Sequence, residues 1–354
     1  MISPHDRLGR HVILTVALLI VVSVAVACSA ASGGTKWNSR SVAESIKGLP
    51  FTPLVANSNV GRGPTRFALG LIQPDQTLVL QADVTARIFR LDNDPEKNPS
   101  TSKLLGTYTM TARTIDTADH GVAWRGPLDR DDTRHARANV VLRMPLSDQP
   151  VAPAHGGALQ TIFTTTVDFP ESGLWGAELQ IKIADKKYER VLVTFAVLDK
   201  TSEPSVGDQA PRTKQAIATD VNSLAGLDSS FPPHASLHNI TVADAIASGK
   251  PTLVAFVSPA FCQTRFCGPT LNNVVIPMQQ QFGSRVNAIH IEPYDLPKAR
   301  AGTLLLSPAA EEWKLQSEPF LVVLDGQGRV TAKFEGIIDL DEVKQAIDVA
   351  LAGK

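Results

Sequence analysis

Two hydrophobic periodicities divide this chain. Between residues 50 and 200, short runs alternate apolar and polar side chains, over 80–89, 139–144, 161–167 and 178–183, with 191–197 as a further strand candidate. Turn-forming clusters such as Asp92-Asn93-Asp94-Pro95 and Pro170-Glu171-Ser172-Gly173 lie between them. A period of two punctuated by turns predicts half-buried strands, and several in succession predict an all-β antiparallel sandwich. Trp175, beside one of these strands, is expected in the core.

From residue 237 the pattern becomes mixed. Thr241 predicts the cap of a short helix that ends at Gly249. Residues 252–257 are apolar and β-branched, bounded by Pro251 and by Ser258-Pro259, which reads as a buried strand. A helix is expected to start with Pro269 and reach about Phe282, followed by a strand over 285–292. Ser307-Pro308 opens another helix, with Trp313 as a core residue, and 320–324 and 329–334 form a hairpin. Asp339 and Glu342 make a capping box for the last helix. Strands interleaved with helices predict an α/β domain over 237–354. It is separated from a β domain over 50–200 by a Pro-, Ser-, Asp- and Gly-rich linker, 201–236.

The N-terminus carries Arg7 and Arg10, then a run over 12–27 that is apolar apart from Thr15 and Ser23, and then Cys28. That is the pattern of a secretory signal over 1–27. Ala25-Val26-Ala27-Cys28 resembles a bacterial lipobox, which implies a lipidated Cys28 as the mature N-terminus and a tether over 28–49. A retained single-pass anchor and an ordinary cleavage site are the alternatives. The apolar run is shorter than the roughly 20 residues that a spanning helix needs, which favours processing. The expected location is the extracytoplasmic face of the cell membrane.

Length and charge narrow the picture. The 354 residues suggest two domains, and 34 basic residues against 35 acidic ones offer no field for nucleic acid. Of three cysteines, lipidation of Cys28 leaves Cys262 and Cys267 as the thiols of the folded part, in a compartment where disulfides persist. They fall where the strand over 252–257 hands over to a helix start, and the unpaired N–H groups there stabilise a thiolate. Residues five apart in a regular helix are about 7.5 Å apart in rise and diverge. Cys262 is therefore expected in the loop and Cys267 in or just before the first turn, so that the sulfurs can meet. The helix start argues for Cys267 as the attacking thiol and exposure argues for Cys262. A static disulfide, or two unrelated buried thiols, is the plainer reading.

Residues 251–354 resemble a thioredoxin-like domain of the extracytoplasmic, membrane-anchored thiol-disulfide oxidoreductase kind. The resemblance rests on the strand at 253–257, the cysteine loop, Cys267-Gly268-Pro269 and Ser317-Glu318-Pro319-Phe320. It implies a cis peptide before Pro319, which then faces the cysteines, and exchange of disulfides with extracytoplasmic protein thiols or disulfides. This chain has Cys-x4-Cys in place of Cys-x-x-Cys, Thr270 where a second cysteine would follow, and Ala255 where thioredoxin has a buried aspartate. Val206-Gly207-Asp208-Gln209-Ala210-Pro211 resembles the lead-in to such domains. The stretches at 66–71 and 172–176 resemble an immunoglobulin-like module.

Two other functions fit the same residues: a copper metallochaperone of the cytochrome oxidase assembly type, with His290 as third ligand, and a binding module with a vestigial redox site. A lone strand histidine such as His290 is usually structural. His234 and His238 are four apart, but Pro232-Pro233 opposes the helix that would make them a metal pair. Asp129-Arg130-Asp131-Asp132 with His135 reads as a solvated loop. No cofactor or metal site is assigned. Replacing Cys28 by Ala is expected to release the protein from the membrane or stop its processing, read by fractionation and mass. Unchanged attachment and mass would point to a plain transmembrane anchor.

Overall fold

A computed structural model describes residues 36–118, 122–123 and 159–353. The leader with Cys28, the strand expected over 139–144 and the loop with Asp129 and His135 lie outside the described residues. Among the described residues no helix is long and apolar enough to cross a membrane.

The first ordered feature falls inside the stretch read as a tether. Trp37 is buried, and Asn38 caps helix α1 (Ser39–Ile46) with a complete capping box. The reason lies far along the chain at Gly176, where any Cβ would overlap the Trp37 ring. The missing side chain makes a seat for the indole, and Ser45 Oγ accepts a 3.0 Å hydrogen bond from the Leu192 amide to hold α1 down.

The strands that follow are β1 (Thr52–Val55), β2 (Gly63–Ile72), β3 (Asp83–Leu91), β4 (Ser102–Asp116), β5 (Val122–Ala123), β6 (Leu159–Phe169), β7 (Gly173–Ile183) and β8 (Lys186–Val197). Seven of them form one antiparallel sheet in the order β1-β2-β6-β4-β3-β7-β8. The expected sandwich of two sheets is thus a single continuous one. β4 is long enough to pair with β3 along its first half and with β6 along its second, so it belongs to both would-be layers. The sheet curls around one core that includes Phe67, Phe163, Phe169 and Trp175. Its edges approach where Leu198, just past β8, pairs with the chain between β1 and β2.

The C-terminal part holds β9 (Ser230–Phe231), which pairs with β5, and a four-stranded sheet of β10 (Thr252–Phe256), β11 (Asn287–Ile291), β12 (Phe320–Leu324) and β13 (Val330–Glu335). The order is β11-β10-β12-β13; β10 runs parallel to β11 and antiparallel to β12, and β12-β13 is a hairpin. Residues 207–210 add to the free edge of β13. β10 reads as unbroken hydrophobicity because both its faces are covered. Leu253, Ala255 and Val257 belong to the core under helices α3 (Cys267–Thr270), α4 (Ile276–Phe282) and α7 (Leu340–Ala352). Val254 and Phe256 join the opposite core, under α2 (Val242–Ala247) and α6 (Pro308–Glu312). The short α5 (Leu296–Arg300) follows β11.

Both sheets belong to one compact unit, Thr35–Lys354, joined by charge and apolar contacts. The Arg66 guanidinium on β2 grips the Glu342 carboxylate with two 2.8 Å hydrogen bonds, donates to the Ile337 carbonyl, and is 11% exposed against 7% for Glu342. Arg113 on β4 reaches Asp339 at 3.3 Å. Asp339 and Glu342 are also the capping box of α7, so the same two acids start the helix and dock the larger sheet. Ile337 packs with Ala68, Ile115 and Ile162 beside them.

Arg66→Ala removes both short hydrogen bonds to the buried Glu342 carboxylate and leaves it only Arg113 at 3.8 Å, so it is expected to cost about 3 kcal/mol in a urea-unfolding measurement. Arg62→Ala breaks the solvent-exposed pair with Asp199 and should cost under about 1 kcal/mol. Equal losses would mean that the Arg66 pair does not hold the two sheets together.

Candidate functional site

The cysteine loop begins as β10 ends. The Cys262 amide donates to the Ser258 carbonyl at 2.9 Å, and Arg265, with φ of 68°, takes the left-handed conformation that turns the chain back on itself. Cys267 then starts α3, so its amide is one of the unpaired donors of a helix N-terminus. That N–H points at Cys262 Sγ, 3.3 Å away. Pro269 is the third helical residue, two later than its expected place, but still in the first turn, where its missing N–H costs nothing. The helix widens over Leu271–Val275 just before Pro277, whose lack of an N–H leaves the Asn273 carbonyl without its ordinary donor.

This geometry separates the two thiols. Cys262 is half-buried and Cys267 is fully buried. The thiol of Cys267 donates to Cys262, which, with the Cys267 amide, brings the Cys262 thiol down to about 7. Burial, then that same hydrogen bond, pushes the Cys267 thiol well up. Cys262 is thus the more acidic of the two thiols, because the helix start carrying Cys267 places its free amide against the other sulfur.

Pro319 follows a cis peptide. Its neighbour Glu318, which the sequence reading passed over, brings a carboxylate oxygen to within 4.8 Å of both sulfurs. Glu318 Oε1 accepts from the Gln263 amide at 2.8 Å, and Oε2 accepts from the Tyr294 hydroxyl at 2.9 Å. Burial, together with the Glu318 charge, raises the Tyr294 hydroxyl beyond its ordinary range and keeps it a donor. Thr264 Oγ1 donates to the Glu318 carbonyl at 3.1 Å, tying the cysteine loop to the segment before Pro319. A charged residue directly ahead of Pro319 and an apolar strand was the available signal for Glu318.

The larger sheet braces both loops. Phe266 packs into the cluster of Ala68, Ile115, Ile162 and Ile337. Ser317 donates to Glu335 at 2.9 Å, and Glu335 in turn accepts from the Ser58 amide and hydroxyl.

His290 lies outside this group. Its Nε2 donates to the Val257 carbonyl at 2.9 Å, and it clusters with Asp228 and His238, all three buried. Burial opposes charge on His290, but the Asp228 carboxylate and then Glu292 raise it to about 9. Burial likewise opposes the Asp228 carboxylate, yet His290 and His238 hold it well below its usual range. His234 and His238 flank a short 3-10 turn, Ala235–Leu237, and His238 answers to Asp228 through its Nε2 at 3.3 Å.

No protein-family model matches the chain, and no curated protein does. Among solved structures, a thioredoxin-like protein in the oxidized form is 16% identical with a TM-score of 0.23, over 30% of this chain and 80% of that one. The thiol:disulfide interchange protein, a thioredoxin family protein from Chlorobium tepidum TLS, is 16% identical with a TM-score of 0.23, over 32% and 86%.

The rate at which iodoacetamide alkylates Cys262 should rise with pH, reach half its plateau near pH 7, and level off above, since only the thiolate reacts. Cys267 should stay slow across that range. Cys267→Ala removes the strongest donor to the Cys262 thiolate and should move the midpoint up by about a unit. A midpoint unchanged in that variant would show that Cys267 does not activate Cys262.

Proposed function

We propose that this protein is a thioredoxin-like thiol-disulfide oxidoreductase, held by lipidated Cys28 at the extracytoplasmic face of the membrane, that exchanges disulfides with partner proteins. The observation that carries the reading is the asymmetric pair: a half-buried Cys262 sulfur that accepts hydrogen bonds from the amide and thiol of buried Cys267. The β11-β10-β12-β13 order, with a strand handing over to a helix at the cysteines and a cis-proline before β12, supports the fold assignment.

In this mechanism the Cys262 thiolate attacks one sulfur of a partner disulfide. A Cys262–partner bond forms as the partner's own bond breaks, and the expelled thiolate takes a proton from water. Cys267 passes its proton to the Glu318 carboxylate and attacks Cys262 Sγ. The mixed disulfide breaks, the partner leaves with its second thiolate, and a Cys262–Cys267 disulfide remains. Two electrons have moved from the pair to the partner, and the reverse sequence oxidises a dithiol. Pro319 shapes the groove beside Cys262 in which the partner's backbone lies.

Copper chaperoning through His290 finds less support. Two thiolates suit Cu(I), but the His290 ring is committed to Val257 and faces Asp228, while the acid beside the sulfurs is Glu318.

In an insulin-reduction assay with dithiothreitol, Cys262→Ser is expected to abolish turnover, and Cys267→Ser to accumulate a mixed disulfide visible on non-reducing gels. Glu318→Gln should lower the Cys262 alkylation midpoint, because a repelling charge is gone, yet slow release of the mixed disulfide. Reductase activity surviving either cysteine change would sink the oxidoreductase reading. Unchanged release in Glu318→Gln would remove Glu318 from the proton path.

A further inference from the structure

We infer that Asp228, His238 and His290 form a binding site for a divalent cation of the zinc class, behind the cysteine loop and independent of its redox role. The three residues come from separate parts of the chain: the start of the segment leading to β9, the turn before α2, and β11. Their exposures are 0%, 3% and 1%. One donor atom from each lies within 4.8 Å of the other two. His238 Nε2 is 3.3 Å from Asp228 Oδ2, and His290 Nδ1 is 3.6 Å from the same oxygen. Ligands about 2.0–2.2 Å from a tetrahedral zinc stand roughly 3.3–3.6 Å from one another, so these two edges already have the size of such a site.

Hydrogen-bond accounting shows what the cluster lacks. The Val257 carbonyl can only accept, so Nε2 of His290 carries a hydrogen, and the other ring nitrogen, Nδ1, faces the Asp228 carboxylate. His290 Nδ1 has no hydrogen-bond partner, although it is fully buried. Asp228 cannot supply a donor, being an acceptor whose oxygens are in use. Oδ1 takes the Ser230 amide at 2.8 Å and its hydroxyl at 2.6 Å, and Oδ2 takes the His234 amide at 2.8 Å. His238 Nε2 already meets Asp228 Oδ2 at 3.3 Å, so His290 Nδ1 is the one converging atom left without a partner, and a metal ion would take all three as ligands.

The surroundings match the usual support of a metal centre. A ligating histidine donates its other ring N–H to a carbonyl, and a ligating carboxylate is itself hydrogen-bonded. Here those partners are Val257 for His290 and Ser230 for Asp228. Two imidazoles with one carboxylate suit Zn²⁺ or Co²⁺ better than Mg²⁺ or Ca²⁺, which take oxygen ligands. Such an ion would fasten the β9 segment to β10 and β11, where Ser229 Oγ accepts the Ala260 amide at 3.0 Å at the base of the cysteine loop.

The test uses a Cys262→Ser/Cys267→Ser protein, so that thiolates contribute nothing. After stripping with a chelator, titration with Co²⁺ should give visible d–d absorption that saturates at one equivalent, without thiolate charge-transfer bands, and Zn²⁺ should displace it and raise Tm. Asp228→Asn keeps the shape but removes the charge and turns one accepting oxygen into a donor. If circular dichroism shows it folded, its Co²⁺ affinity should fall at least about 100-fold, given that even supporting residues cost about 10–100-fold. His290→Gln gives a second variant and the same loss. Failure of the double-serine protein to bind Co²⁺ or Zn²⁺, or full binding by folded Asp228→Asn, would overturn the inference. So would ring nitrogen NMR showing two fixed protons on His290 in the presence of Zn²⁺, leaving a proton as the ion that Asp228 holds.

Discussion

The amide of Cys267, 3.3 Å from Cys262 Sγ, is the contact around which the site is arranged. A helix N-terminus holds its partial positive charge in a few N–H groups, and the effect dies within a turn. To use that charge on a sulfur outside the helix, the chain must double back in a few residues. The five-residue spacing permits this, with Arg265 taking the left-handed turn. The resulting division of labour is forced. The thiol that begins the helix is sealed under the sheet's core and its acidity falls, while the thiol in front of the helix collects the amide and gains acidity.

A loop bent this way needs outside support, and much of it comes from the larger β-sheet. Phe266 packs among residues of β2, β4 and β6, and the loop before Pro319 is held through Ser317, Glu335 and Ser58. The buried Arg66–Glu342 pair joins the two sheets beside the Arg113–Asp339 pair and the Ile337 cluster. Loss of that pair would therefore be felt at the cysteines as well as in the unfolding free energy. The larger β-sheet thus contacts both loops of the cysteine site.

Much of the α/β part could be read from residue order. The caps at Thr241, Ser307 and Asp339 all accept the expected amides, and the continuous apolar run of β10 lies between two cores. The β part was less legible. β4 is mostly exposed and rich in Thr, so it has no apolar alternation to announce it, and its double pairing is what merges two expected layers into one sheet. The seat of Trp37 depends on Gly176, more than a hundred residues away, which no local pattern encodes. Local reasoning did find both sulfurs. It could not rank them, because exposure and helix position are each one-residue arguments and the answer lies in a contact between the two.

The same limit applies to buried charge. Ala255 leaves β10 without the acid that the thioredoxin resemblance would place there, and read alone this looks like a loss of function. In the sheet, Ala255 is the register partner of His290 on β11. Alternation puts Ala288 and His290 on the face that packs against α3, while Ile289 and Ile291 turn to the other core. The titratable group on this face therefore sits on the neighbouring strand. Its larger ring brings its own retinue, Asp228 and His238, from a segment outside the sheet. A small residue at 255 is what allows an imidazole on the neighbouring strand to be fully enclosed. An aspartate there would set a third carboxylate beside a ring already facing Asp228 and Glu292, and like charges that close in a dry interior are costly.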